Sequence, residues 1–261
     1  MISKDAERLA HEIFIRTTEA RVSVFAFRVM GQLGLPHAKN EEAQTWEQNF
    51  KRGFARAEEL AAFSGQKDSF DRFCEDQVKQ LTEKSVTAFE AALDAASLIF
   101  SHSLLDTAAF DWCRVCALAC PDDFMPYIAN RQFSLAEVQA TSFSELREKA
   151  IARHLEILER ESLLKKLDVL FALCHPPPSF HPPPSFQNYS YDRKRIVDLD
   201  TLRHDYVHRG WVGGRLPQGD DDLVFLSNTA VFLFHLVTQR YGIRLDPDVY
   251  VAALKTNAAR P

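Results

Sequence analysis

Glycine is scarce in this chain, 9 of 261 residues, and segments in which Val, Ile and Thr alternate with polar residues are few. A sheet-rich fold uses the alternation to bury one face and glycine to make tight turns, so the composition argues against that class and an all-α helical bundle is expected. An excess of positive charge is also missing. The 31 basic side chains face 36 acidic ones, and a net charge of -5 gives no global attraction to nucleic acid or to an anionic membrane. Any such contact has to be local. The 5 cysteines are an odd number, and Cys113, Cys116 and Cys120 sit at helical spacing in an apolar run without a second Cys/His pair at finger spacing. Buried free thiols in a reducing compartment explain them better than zinc. Residues 1–7 carry acids and lack an apolar signal core, so the expected location is cytoplasmic.

What is present is helical periodicity. Leu9, Ile13, Thr17, Val24 and Phe27 predict a first helix ending near Gly31 and Gly34, before Pro36. Asn40 is placed to cap a second, with Trp46, Phe50, Phe54 and Ala57 on its apolar side and Gly65 at its end. The two read as a hairpin over 1–66, packed on a bundle over 67–261. A further helical stretch opens at Asp68 or Ser69 with a break expected near His102, and an apolar run from Ala108 closes at Pro121. Ser134 with Glu137 and Ser142 with Glu145 match the capping box, and Ile151, Leu155, Leu158, Leu163, Leu167 and Leu170 carry one long helix onward, with Lys166 at a wet position. The tandem His175-Pro-Pro-Pro-Ser-Phe180 and His181-Pro-Pro-Pro-Ser-Phe186 forbids helix and reads as a polyproline loop spanning 175–192. As a recognition ligand for an aromatic groove it is second to a duplicated loop. Asp192 caps the next helix, and Asp220, Asp221 and Asp222 start a last one that ends at Gly242. That last helix is apolar but short for a membrane span and interrupted by Ser227, Asn228 and Thr229, so a central bundle helix with no membrane contact is expected.

Chemistry concentrates between Asp198 and Gly210. Ile196, Leu199, Leu202, Arg203, Tyr206 and Val207 recur at helical spacing as a packing stripe, while Asp200, His204 and His208 stand one turn apart on another face. From Arg193 to Arg215 there are six basic residues, Arg193, Lys194, Arg195, Arg203, Arg209 and Arg215, against three acids, a positive island on an acidic protein. Three readings fit. Catalysis is one, because histidine titrates near neutrality and moves protons while arginine stays charged and offers paired donors to anionic oxygens. Asp200, His204 and His208, with Asp205 behind, suit a metal site. Arg203 paired with Asp200, and His208 as a cation at a helix C-terminus, would be structural only.

Arg203, four residues and His208, late in an all-helical chain and followed by a glycine and one more core helix, resembles the HEPN superfamily over roughly residues 79–242. That resemblance implies a four- or five-helix core, with the N-terminal helices as additions. It implies a metal-independent endoribonuclease that needs no cofactor, works as a homodimer and belongs to a toxin or phage-defence system with an inhibitor protein. Arg203 and His208 become the catalytic pair, with His204, Asp205 and Tyr206 in support and Arg193, Lys194, Arg195, Arg209 and Arg215 as RNA contacts. Asparagine is usual after the family's arginine; this chain has His204. A helical binding module without catalysis, engaging a partner through the basic island or the proline repeat, is the alternative.

Overall fold

The computed structural model describes residues 3–128, 133–134, 138, 142–175, 191–209 and 215–244. These are helical, with no strand among the described residues. The helices delimited among the described residues are, in order, α1 Lys4–Gly53, α2 Ala55–Phe63, α3 Lys67–Ala119, α4 Pro121–Phe124, α5 Phe143–Arg160, α6 Leu163–Cys174, α7 Arg193–Arg209 and α8 Asp220–Tyr241, with a 3-10 turn at Met125–Ile128.

The two longest helices differ most from the sequence reading. The expected pair over 1–66 is one 50-residue helix, α1, which passes Gly31, Gly34 and Pro36 without stopping. Pro36 removes one i→i−4 bond and does not end the helix. Gly31 acts in packing, because a Cβ there would meet Leu93 Cδ1 at 2.6 Å. The hairpin partner of α1 is therefore α3, and the short α2 sits at the tip between them. In the same way α3 runs 53 residues through His102 without a break. The long helix expected from Ile151 is instead two, divided at Glu161 and Ser162, where the Ser162 hydroxyl accepts from Lys165 N and starts α6.

Several ends follow their local chemistry. Ser142 and Glu145 form both bonds of the capping box at α5. Asp192 accepts from Arg195 N at the start of α7, and Gly242 closes α8 at φ 65. Of the second capping box Ser134 is described but Glu137 is not, and the stop at Gly210 and both proline hexapeptides beyond His175 also lie outside the described residues.

The core joins the N-terminal third of α1, through Ala10 and Ile13, to the C-terminal half of α3, through Leu98, Leu105 and Trp112, and to α5 to α8. Helix α8 is enclosed on most sides, with Leu223, Leu226, Leu233 and Val237 buried. Truncating one of these leucines to alanine costs about 2–5 kcal/mol. By length and composition α3 and α8 could each cross a bilayer, but 72% of the apolar window of α8 and 50% of that of α3 lies buried inside this bundle. Polar bonds hold α1 to its neighbours: Arg28, itself buried, reaches Asp94 at 2.5 Å and Asp220 at 2.9 Å, and Arg16 pairs with Asp111. All five cysteines are free. Cys113 and Cys116 are buried and Cys120 is half-buried, and burial pushes the Cys113 thiol far above its ordinary value.

Candidate functional site

Helix α7 presents three kinds of surface. Ile196, Leu199 and Tyr206 are buried, Asp200 and Arg203 are half-buried, and His204, Val207, His208 and Arg209 are exposed. Val207, expected in the packing stripe, is 50% exposed and faces out. Burial, with Asp94 adding to it, pushes the Tyr206 hydroxyl above its usual value. The helix is continuous to Arg209, so Arg203 and His208 stay about 140° apart around its axis and do not converge within one chain.

Arg203 turns inward. Its Nε and Nη2 both donate to Asp200 Oδ1, at 3.1 and 3.0 Å, which is the pairing a structural role requires. The same carboxylate oxygen is also approached from another helix, by a residue not among the candidates from sequence. His102 of α3 is 5% exposed, and its Nε2 lies 2.9 Å from the same Asp200 oxygen, within ion-pair distance but out of line for a hydrogen bond. Burial holds the His102 imidazole below its ordinary value of 6.5; Asp200 opposes this, Arg203 adds to it, and Asp106 opposes it more weakly. One turn on, Asp106 accepts from Lys166 Nζ of α6 at 2.8 and 2.9 Å. Lys166, read from sequence as a wet position, is only 3% exposed. A row of polar groups thus runs from Lys166 through Asp106 and His102 to Asp200 and Arg203, tying α6 and α7 to α3. Its one sequence signal is the i, i+4 spacing of His102 and Asp106 within an apolar stretch.

His204 and His208 turn outward, their ring centroids 4.2 Å apart. Asp200 is committed to Arg203 and His102, so the three-residue face proposed for a metal is not assembled. Among the described residues no three His, Cys, Asp or Glu side chains gather as ligands. Most of the positive island is already bonded: Arg193 pairs with Asp168, Arg195 with the buried Asp222 at 2.7 Å, Arg209 with Asp205 at 3.4 Å and Arg215 with Glu90 and Asp94. Arg195 also covers the Phe225 ring at 4.6 Å, so it holds α7 to α8. Lys194 is exposed. Both rings of the His204–His208 pair are exposed. The chain matches no known family, no curated protein and no solved structure.

Proposed function

We propose that α7 carries the active groups of a metal-independent endoribonuclease of HEPN type, working in a toxin or phage-defence setting. The observation that carries this reading is the exposed His204–His208 pair, rings 4.2 Å apart, one residue along from an arginine braced by Asp200. RNA brings its own nucleophile, so cleavage needs a proton acceptor for the 2′-hydroxyl, a donor for the leaving 5′-oxygen, and positive charge at the phosphorane. In this reading His208 takes the first proton and His204 supplies the second, and because Arg203 and His208 of one chain do not converge, the Arg203 that exchanges one bond to Asp200 for a phosphate oxygen comes from the second subunit of a homodimer. His204, where the family's asparagine would stand, thereby gains a role. Lys194 and the exposed, acid-paired Arg193 and Arg209 supply local charge for the strand. A homodimer belongs to the same proposal, and an inhibitor protein would mask the α7 surface.

The test is cleavage of single-stranded RNA by the full chain in buffer containing a chelator. Wild type is expected to cut, His208→Ala to lose cutting with its helical content unchanged, and Arg203→Ala to lose most of it. RNA binding without cutting by the wild type would instead establish the binding-module alternative. Undiminished cutting by His208→Ala would remove the assignment.

A further inference from the structure

The α1–α3 hairpin continues well beyond the bundle. None of residues 29–81, all of them described, is buried. Helices of this length normally owe most of their stability to a packed apolar face, and these two have one that is not closed. Phe50 of α1 and Phe54 at the α1–α2 junction, with Phe70, Cys74 and Val78 of α3, line an open groove of about 650 Å³ between the two arms and α2. In a closed two-helix seam such residues would fill one another's holes and leave no groove.

The charges along the groove say what fits it. Ser85 Oγ of α3 donates to Glu42 Oε1 of α1 at 3.0 Å, which fixes the level of the two antiparallel arms. At about 1.5 Å of rise per residue, Glu47 then lies within one residue of the level of Lys79, and Lys51 within one residue of the level of Glu75. All four line the groove. No ion pair joins them across it among the described residues; Lys51 instead bonds Glu47 on its own helix at 2.5 Å. Each arm therefore offers, level by level, the opposite charge to the other arm.

We infer that the groove is closed by the same hairpin of a second copy of this chain, related by a two-fold axis along the hairpin, to give an antiparallel four-helix bundle. Rotation about that axis sets α1 of each copy beside α3 of the other. Glu47 then meets Lys79 of the second copy and Lys51 meets its Glu75, each pair forming twice, while the phenylalanines of both seams share one core. An axis across the hairpin would instead bring the base of one arm against the tip of the other and lose the matched levels. No α7 residue lines this surface, so this interface is distinct from the α7 site of the proposed RNase, and the variants that test it leave the α7 groups untouched.

Sedimentation velocity on the full-length protein across a dilution series reads the association directly. Wild type is expected to dimerise. Lys51→Glu, and separately Glu75→Lys, each place two like-charge contacts in the interface and should weaken the dimer by at least about tenfold. The double variant Lys51→Glu with Glu75→Lys restores opposite signs and should recover it, with helical content by circular dichroism equal in all four proteins. A monomeric wild type at every concentration, a dimer indifferent to both single changes, or a double variant no better than the singles would each overturn the inference.

Discussion

The Lys166–Asp106 pair gives an unequal response to removal of its two halves. Lys166 is 3% exposed at its side chain and Asp106 33%. Asp106→Ala leaves an ammonium enclosed by α3 and α6 with no counter-charge. Breaking a buried pair in that sense costs about 3–5 kcal/mol, and because water reaches the Asp106 side the lower end, about 3 kcal/mol, applies. Lys166→Met keeps the volume and removes the charge that needed a partner. The remaining carboxylate of Asp106 can turn to solvent, so that change should cost less than about 1 kcal/mol. For a chain of this size about 1 kcal/mol shifts the melting temperature by about 2–4 °C, so Asp106→Ala should melt about 6–12 °C below wild type and Lys166→Met within a few degrees of it. Urea denaturation followed by circular dichroism gives the same comparison in free energy, and the double variant Asp106→Ala with Lys166→Met should recover most of the loss. Equal losses for the two single variants would refute the claim that Lys166 is the enclosed member. A double variant no more stable than Asp106→Ala would show that the charge is not the cause.

Three more outcomes follow from particular contacts. Burial lowers both His102 and His235, so below about pH 6.5 the unfolded chain takes up protons that the folded one refuses. Stability should therefore be full above that pH and fall as pH drops toward the folded-state values; His102→Gln with His235→Gln should flatten the urea midpoint across this window, and an unchanged slope would exclude these two groups as its source. A Cβ added at Gly34 would meet nothing within 4 Å, whereas one at Gly31 would meet Leu93, so Gly34→Ala should stabilise by about 0.5–1 kcal/mol and Gly31→Ala should not. Equal gains at the two positions, measured by thermal melts, would show that α1 and α3 are less closely packed at Leu93. Ser142→Ala removes one bond of the α5 capping box and should cost about 1 kcal/mol, and a change under about 0.3 kcal/mol in urea titrations would mean that the cap adds nothing.

What the sequence alone determined is local. The all-α class followed from periodicity and from the shortage of glycine. The ends of α5, α7 and α8 followed from Ser142 with Glu145, Asp192, and Gly242, because a cap is satisfied by a backbone group a few residues away. What only the tertiary structure decided depends on partners far along the chain. Gly31 looked like a stop until Leu93 was seen against it, and α1 continues because α3 lies beside it. His102 was read only as the place of a helix break, yet it lies against Asp200, and Lys166 looked wet, yet its counter-ion Asp106 comes from another helix. The positive island was a count of arginines. Folding brought Asp168, Asp222, Glu90 and Asp94 to them, and local periodicity carries no information about which distant acid will neutralise which base.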